Sequence, residues 1–170
     1  MSRSVIRHAE ARDLPALLAI YNHYVVETPV TFDVEARTLA QRREWFAQFA
    51  RTGRYRCFAA EMDGTTVAYA CSARFKEKEA YATTIETSVY CAPGHTGRGL
   101  GRALYQALFA AIAGQDIHRA FAGVTLPNAA SVALHEALGF RHIGTYDEIG
   151  RKFGRFWDVG LFERSFPPRP

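Results

Sequence analysis

The chain has little cysteine and no long apolar run. Its three cysteines, Cys57, Cys71 and Cys91, form no C-x-x-C pair, which argues against a disulfide framework or a zinc site. Each has apolar neighbours, and this favours buried free thiols. No window approaches the roughly 18 uninterrupted apolar residues of a membrane span, and the first residues lack a signal-peptide-like apolar run. We therefore expect a cytoplasmic protein with no metal and no membrane partner.

A strong charge of either sign is also missing. The 170 residues include 21 Lys and Arg against 17 Asp and Glu, a net charge of +4. A nucleic-acid-binding protein more often clusters its basic residues on one face, whereas here they are spread along the chain. We expect no nucleic-acid partner. One local basic group, Arg74, Lys76 and Lys78, fits a solvated strand end or a patch that attracts an anionic ligand equally well.

Internal repeats and low-complexity linkers are absent too. A composition of 48% hydrophobic and 22% charged residues is ordinary for a globular protein, and this length suffices for one core without disulfides. We expect a single domain over residues 1–166, followed by a flexible tail at 167–170 that contains three prolines.

Hydrophobic periodicity predicts the element order β-α-α-β-β-β-α-β-α-β-β. Asp13, Thr38 and Asn128 are predicted helix N-caps and Gly139 a left-handed C-cap, while the pair Asp63-Gly64 predicts a hairpin turn. Strands are expected at about 4–9, 55–62, 67–75, 83–91, 120–126, 140–146 and 156–162. The pattern indicates an α/β (α+β) fold, in which helices cover a mixed sheet.

A glycine-rich segment stands between a predicted strand and the strongest predicted helix. Gly97, Gly99 and Gly101 alternate with Arg98, Leu100 and Arg102 in this segment. Glycines let a backbone curl closely around a ligand, and the amides of a helix N-terminus attract anions such as pyrophosphate. The P-loop motif is absent, and the G-x-G-x-x-G dinucleotide motif fails at Arg102. The segment therefore predicts a phosphate cradle of another kind, although a flexible loop has similar composition.

Two segments resemble the GNAT superfamily of acetyltransferases. Residues 96–101, T-G-R-G-L-G, are similar to its [Q/R]-x-x-G-x-[G/A] signature, with Thr96 in place of the usual Gln or Arg. Residues 126–140, L-P-N-A-A-S-V-A-L-H-E-A-L-G-F, are similar to its N-x-x-S/A…L-G-F segment. The resemblance implies a mixed, mostly antiparallel central sheet of about seven strands, flanked by about four helices.

The resemblance narrows to the phosphinothricin and methionine sulfoximine/sulfone N-acetyltransferases. It rests on residues 21–24, 85–90, 134–139 and 152–160, and it spans about residues 5–166. It implies acetyl-coenzyme A (acetyl-CoA) as donor, a small-molecule amine as acceptor and a homodimer. The implied cofactor-binding residues are Val89, Tyr90, Cys91, Gly97, Arg98, Gly99, Leu100, Gly101, Arg102 and Asn128. The implied substrate-binding residues are Lys76, Glu77, Lys78, Glu86, Thr87 and Ser88.

The same resemblance implies that Glu86 and His135 are catalytic. An amine must lose a proton before it attacks a thioester, and a carboxylate or imidazole near the nitrogen can accept that proton. His135 fits the role of base or of acid to the departing thiolate, and the Val89 N–H fits an oxyanion contact. An exposed Glu86 and a structural His135 are the alternatives. Cys91 is interpreted as a packing residue rather than as a nucleophile.

We expect direct acetyl transfer in a ternary complex to a small amino acid analogue. A family member that acetylates a peptide N-terminus, polyamine or aminoglycoside is an alternative, because a fold does not determine a substrate. A non-catalytic coenzyme A sensor would retain the glycine segment without needing Glu86 or His135. A nucleic-acid-binding module is suggested only by the basic pI.

Overall fold

The computed structural model describes residues 4–167 of the chain. Residues 168–170, which belong to the predicted tail, lie outside the described residues. The strands are β1 (Val5–His8), β2 (Arg56–Met62), β3 (Thr65–Arg74), β4 (Thr84–Cys91), β5 (Arg119–Leu126), β6 (Arg141–Lys152) and β7 (Arg155–Ser165). The helices are α1 (Leu14–Glu27), α2 (Leu39–Phe46), α3 (Leu100–Ile112) and α4 (Ala129–Ala137), with short 3₁₀ turns at Ala11–Asp13 and Glu79–Tyr81. The predicted order of strands and helices is confirmed.

The seven strands form one sheet in the order β1-β2-β3-β4-β5-β7-β6. Strands β4 and β5 are parallel, and every other neighbouring pair in the described sheet is antiparallel. This is the predicted mixed, mostly antiparallel sheet with four helices. Within residues 4–167, none of the helices combines the length and apolar composition that crossing a membrane requires.

The helices divide between the two faces of the sheet. In β3, Ala68 and Ala70 face a core that includes the buried stripe of α3, whereas Tyr69 and Cys71 face a second core built with α1 and α2. This division follows from the two-residue alternation of side chains along a strand. Helix α3 buries Leu104, Leu108 and Ile112 completely. Each such side chain contributes roughly 2 kcal/mol of transfer free energy.

The predicted caps of α2 and α4 are present, and that of α1 is different. Thr38 Oγ1 accepts from the Gln41 amide, while Asn128 Oδ1 accepts from the Ser131 amide. Asp13 precedes α1 but makes no side-chain cap on it, so this detail of the prediction is wrong. Its carboxylate instead accepts hydrogen bonds from backbone and side-chain donors around the preceding 3₁₀ turn. Its oxygen atoms are therefore not available to cap α1.

The last two strands are longer than their predicted ranges. Strand β6 continues to Lys152, and a two-residue turn with positive φ at Phe153 and Gly154 leads into β7, a geometry typical of a tight hairpin. The pairing of β6 with β7 is irregular between Tyr146 and Gly150. This irregularity interrupts the alternation that sequence periodicity relies on, so the prediction stopped at residue 146.

Candidate active site

A gap separates the carboxyl ends of β4 and β5. Residues 84–86 pair with residues 119–121, whereas β4 continues to Cys91 and β5 to Leu126. Beyond Glu86 the two strands therefore separate, and their facing backbone groups do not pair with each other. A gap at the carboxyl ends of parallel strands is a common location for ligand sites in α/β sheets.

The Val89 N–H points into this gap. The β3–β4 register places Ala92 opposite Val67, and the Ala92 amide donates to the Val67 carbonyl at 2.7 Å. Hydrogen-bonded and non-hydrogen-bonded pairs alternate along an antiparallel ladder, so the backbone groups of Val89 point away from β3. Thr83 lies an even number of residues before Val89, so its backbone groups point to the same side of β4. Its carbonyl accepts from the His118 amide at 2.8 Å on the β5 side.

A cavity of about 290 Å³ occupies the gap, and we call it the gap cavity. It is bounded by β4, β5, α3, α4 and the segment 30–32. Seven of the predicted site residues meet there, namely Glu86, Thr87, Ser88, Val89, Tyr90, Asn128 and His135. The structure therefore brings together residues that are up to 49 positions apart in the chain (135 minus 86).

His135 is buried at the α4 side of the gap cavity and is 4% exposed. Its Nδ1 lies 2.7 Å from the Ser131 carbonyl oxygen, and its Nε2 lies 3.2 Å from the Tyr105 hydroxyl. Because a carbonyl only accepts, Nδ1 carries the proton and Nε2 accepts from Tyr105. Burial lowers the pKa of His135, and the bond to Ser131 opposes this only in part. The imidazole is therefore neutral at pH 7.

Tyr105 is a site residue that the sequence interpretation missed. Its phenol is completely buried on α3, where it contacts His135 Nε2 and lies close to Thr87. Burial raises the pKa of Tyr105, while the nearby Thr87 side chain acts in the opposite direction. The residue occupies the buried stripe of an amphipathic helix, where an aromatic side chain normally predicts core packing.

Glu86 lines two cavities at once. It borders the gap cavity and also a cavity of about 580 Å³ on the other face of β4, which we call the α2 cavity. Burial raises the pKa of the Glu86 carboxyl above its ordinary value of 4.5. A carboxylate with a raised pKa between two spaces can accept a proton from a group that enters through either one.

The α2 cavity contains residues that the sequence interpretation did not assign to a site. Ser88 and Tyr90 of β4 line it beside Glu86, as two-residue alternation requires. Helix α2 contributes Arg42 and Trp45. The remaining lining residues are Tyr21, Asp33, Arg37, Gln41, Glu44, Tyr69, Cys71 and Ala73. The sequence feature that indicates this cavity is a charged residue between the apolar positions of α2.

Lys76, Glu77 and Lys78 lie elsewhere. All three are exposed in the connection between β3 and β4, and none of them lines the gap cavity or the α2 cavity. Lys76 Nζ lies 5.0 Å from the Phe75 ring centroid and 5.2 Å from that of Tyr81. The structure thus separates these three predicted substrate-binding residues from Glu86, Thr87 and Ser88.

The glycine segment forms the turn from β4 into α3. Gly97 and Gly99 have φ values of +73° and +77°, which glycine adopts without strain, and Gly99 gives α3 no side-chain cap. A Cβ added at Gly101 would lie 3.0 Å from Leu134 Cδ2, so a small residue is needed there. Arg98 and Arg102 are exposed. Free helix amides and nearby cations suit a polyphosphate.

The cysteines do not form a nucleophilic site. All three are free thiols, as predicted. Burial raises the pKa of Cys91, and it also raises that of Cys71 to about 12. Both therefore remain protonated near pH 7, and the thiol is a poor nucleophile in comparison with the thiolate. Among the described residues, no group of three His, Cys, Asp or Glu side chains is arranged to hold a metal ion.

Known proteins resemble the chain over almost its whole length. A model of the acetyltransferase (GNAT) family matches residues 17–140. The chain belongs to the GNAT acetyltransferase family. A phosphinothricin N-acetyltransferase of Streptomyces coelicolor is 50% identical over 161 residues, with 94% of each chain covered. An L-methionine sulfoximine/L-methionine sulfone acetyltransferase of Pseudomonas aeruginosa is 36% identical, with coverage of 96% and 95%.

A solved GNAT relative shows the same fold with acetyl-CoA. This acetyltransferase from Salmonella typhimurium, solved with its cofactor acetyl-CoA, superposes with a TM-score of 0.90 at 30% identity over 98% of this chain and 95% of the other. The chain is accordingly an acetyl-CoA-dependent N-acetyltransferase. Its own residues fit that donor, because the uncapped N-terminus of α3 suits the pyrophosphate and the Val89 N–H is free within the gap.

Proposed function

We propose that this GNAT enzyme transfers acetyl directly from acetyl-CoA to the α-amine of a small amino acid analogue. Phosphinothricin, methionine sulfoximine and methionine sulfone are the acceptors we expect, and their acetylation would detoxify them. The observation that carries the proposal is the position of Glu86 between the gap cavity and the α2 cavity. We assign the donor thioester to the gap cavity and the acceptor to the α2 cavity.

In this assignment, Glu86 accepts the proton that the acceptor ammonium must lose. Burial already disfavours the charged carboxylate, so its basicity is greater than that of a carboxylate in water. Neither Cys71 nor Cys91 is activated as a nucleophile, and this supports direct transfer rather than a covalent acetyl-enzyme. Acetyl-CoA supplies the activated acetyl group.

The remaining residues of the gap bind and orient the donor. The Val89 N–H is positioned to donate to the thioester carbonyl oxygen, while Gly97, Gly99 and the first amides of α3 hold the pyrophosphate. We also assign Tyr90, Cys91, Arg98, Leu100, Gly101, Arg102 and Asn128 to donor binding.

His135 acts with Tyr105 at the thiol end of the donor. Nε2 of His135 holds the Tyr105 hydroxyl at 3.2 Å, and both residues border the gap cavity. We propose that the Tyr105 hydroxyl turns from His135 Nε2 toward the departing thiolate and gives it the phenolic proton, and that a proton from solvent then restores the phenol.

Ser88 remains a proposed acceptor contact because it lines the α2 cavity beside Glu86. Thr87 lines the gap cavity, and we propose that it contacts the acceptor only where the amine meets the thioester. Lys76, Glu77 and Lys78 remain proposed acceptor contacts on an exposed connection. The two lysine charges suit attraction of an anionic acceptor from solution, whereas Glu77 pairs with Arg74.

We further propose a cytoplasmic homodimer. Its support is a set of exposed apolar side chains on the β6–β7 hairpin, where β6 is also an edge strand of the sheet. Unpaired edge strands and exposed apolar surface both favour association.

The activity is tested by thiol release from acetyl-CoA with a panel of amines. The panel contains phosphinothricin, methionine sulfoximine, methionine sulfone, glutamate, spermidine, kanamycin and a short peptide. Release with the three amino acid analogues is expected. Release only with another amine would discard the acceptor class, and no release with any amine despite coenzyme A binding would overturn the proposed function.

The role of Glu86 is tested with Glu86→Gln. We expect kcat/KM to fall by on the order of 100-fold to 10,000-fold, with unchanged coenzyme A affinity. Wild-type activity should rise with pH through the Glu86 pKa, which lies above 4.5, because only the deprotonated carboxyl acts as a base. The variant should lose this limb of the pH profile.

Glu136→Gln is the matched control, since Glu136 is exposed on α4 and lines neither cavity. Wild-type rates in the Glu86→Gln variant, or a pH profile that keeps its acidic limb, would remove Glu86 as the base.

A further inference from the structure

Arg42 is a buried cation without an anionic partner. It lies on the inward side of α2 and is 4% exposed. Its Nε and Nη2 atoms make no hydrogen bond, and no described carboxylate forms an ion pair with it. Buried charges are normally paired because desolvation without a partner is costly. An unpaired buried guanidinium in the lining of a cavity therefore indicates a missing anion.

Aromatic rings hold the guanidinium in place without neutralising it. Its Cζ atom lies 3.4 Å from the Trp45 ring centroid, 4.9 Å from that of Tyr21 and 5.0 Å from that of Tyr69. The Tyr69 hydroxyl is buried beside the guanidinium, which opposes the effect of burial on the Tyr69 pKa. Cation–π contacts orient a cation but leave its hydrogen-bond donors free. The cavity wall thus presents a fixed cation whose Nε and Nη2 donors make no hydrogen bond of ordinary geometry.

Nearby carboxylates do not supply the missing charge. Asp33 lines the same cavity, but it accepts hydrogen bonds from Arg37 and from the Tyr21 hydroxyl. Glu44 and Glu86 also border the cavity, Glu44 is exposed, and neither forms an ion pair with Arg42. The anion that Arg42 lacks must therefore come from outside the described chain.

Arg42 and Glu86 border the same space. Both line the α2 cavity. Both are also close enough to the Cys71 thiol to shift its pKa, which the Arg42 cation lowers and the Glu86 carboxylate raises. An α-amino acid carries its amine and its carboxylate on one carbon atom. One small acceptor can therefore present its amine to Glu86 and its carboxylate to Arg42.

We propose that Arg42 binds the α-carboxylate of the acceptor and selects amino acids over amines that lack an acid group. This inference rests on the proposed function and adds the residue that sets its acceptor class. A guanidinium donates two parallel hydrogen bonds to a carboxylate. An acceptor without that group leaves the buried cation unpaired, and binding sites built for a polar group reject such analogues strongly.

The test compares L-methionine sulfone with its α-carboxamide in the wild type and in Arg42→Gln. The wild type should prefer the acid, and the variant should lose on the order of 100-fold in kcat/KM for the acid, mainly through KM. Its kcat/KM for the carboxamide should stay near the wild-type value. The ratio of kcat/KM for the acid to kcat/KM for the carboxamide is compared between variants, because this comparison cancels the different intrinsic reactivity of the two amines.

Two further variants keep the result interpretable. Arg43→Gln removes the same charge from the next position of α2, where the side chain is exposed, and it should behave as the wild type. Arg42→Lys keeps a cation in the site and should restore part of the preference for the acid. If Arg42→Gln fails to fold, the Arg42→Lys ratio and the wild-type ratio still test the proposal.

If Arg42→Gln lowers kcat/KM equally for the acid and the carboxamide, Arg42 has only a structural role and the proposal is overturned. An unchanged preference for the acid would overturn it as well. Calorimetric titration of both compounds in the presence of coenzyme A separates this proposal from the proposed function. Arg42-dependent binding of the acid without acetylation would contradict only the proposed function, whereas equal binding of acid and carboxamide by the wild type would contradict the role of Arg42.

Discussion

Asp13 shows how one buried carboxylate joins three parts of the chain. It is 4% exposed, and it accepts from two Arg7 nitrogens at 2.8 Å, from the Glu10 amide at 2.7 Å and from Thr66 at 2.7 Å. Burial alone would raise its pKa, but these hydrogen bonds and the Arg7 charge lower it to about 2. The carboxylate fastens β1 and β3 to the start of α1.

We expect Asp13→Asn to lower the free energy of unfolding at pH 7 by about 2 kcal/mol, the amount that corresponds to this pKa shift. The folded pKa is below the unfolded one, so the contribution is present above about pH 4. It is lost as pH falls through about 2. Urea unfolding measured between pH 7 and pH 2 checks both effects.

Asp63→Asn provides the control for this measurement, because Asp63 is exposed in the β2–β3 turn. It should leave stability and its pH dependence nearly unchanged. A wild-type-like decline of stability between pH 4 and pH 2 in the Asp13→Asn protein would assign the acid sensitivity to other carboxylates.

Single residues differ in how far the sequence alone could place them. Resemblance indicated Glu86 and His135, and the structure puts both at the gap cavity. Arg42 cannot be placed from the sequence, because the apolar residues of α2 predict the helix but do not show that the charged residue between them is buried. Tyr105 was missed because an aromatic residue on an apolar stripe is normally core. The roles of Arg42 and Tyr105 both depend on contacts with segments that are distant in the sequence.

Among the secondary-structure elements, the β6–β7 hairpin fixes one wall of the gap cavity. The segment 30–32 lines that cavity, and the Phe32 ring lies against Gly150 of β6. A Cβ added at Gly150 would be 2.1 Å from Phe32 Cε2. Lys152, which is buried, donates to the Thr31 carbonyl at 2.8 Å. The hairpin therefore contacts this segment at two adjacent residues, Thr31 and Phe32.

Gly150→Ala should displace Phe32 and thereby disturb the wall of the gap cavity. We expect a several-fold fall in kcat/KM, with a loss of no more than about 1 kcal/mol in unfolding free energy, because the partly exposed Phe32 ring can turn away. Chemical denaturation and steady-state assays measure the two effects. Gly144→Ala is the matched control on the same strand, since an added Cβ there meets nothing within 4 Å. Equal behaviour of the two variants would contradict this role of Gly150.

Most elements follow from local signals, whereas their relative placement does not. The Thr38 and Asn128 caps and the Asp63-Gly64 turn are local and were predictable. The separation of β4 from β5 depends on pairing between strands with α3 between them. Neither strand has a sequence feature that reveals where pairing ends. The site geometry thus depends on a feature that periodicity cannot report.

At the scale of the whole molecule, the proposed mechanism places donor binding and acceptor binding on opposite faces of the sheet. The face covered by α3 and α4 carries the glycine turn, Tyr105 and His135, and the face covered by α1 and α2 carries the α2 cavity with Arg42. Glu86 is the proposed catalytic side chain that borders both cavities. A sheet with a gap lets a donor on one side meet an acceptor on the other.

The two edges of the sheet differ in their exposed apolar surface. Five of the ten large apolar side chains that are strongly exposed among the described residues lie on the β6–β7 hairpin at one edge. They are Ile143, Tyr146, Ile149, Phe153 and Phe156. Val26 and Val34 line a cavity together with Phe153 and extend this surface. At the opposite edge, β1 exposes only Val5 among its large apolar residues.

This asymmetry predicts that a second copy of the chain covers the hairpin surface. Light scattering coupled to size-exclusion chromatography should give twice the chain mass of 19.0 kDa. Ile149→Glu combined with Phe156→Glu should shift the protein toward 19.0 kDa, because an interface buries charges only at high cost. Val5→Glu introduces one negative charge at the β1 edge, half of that in the double variant, and should remain dimeric. A wild-type mass of one chain, or dissociation by Val5→Glu alone, would show that the hairpin surface serves a different purpose.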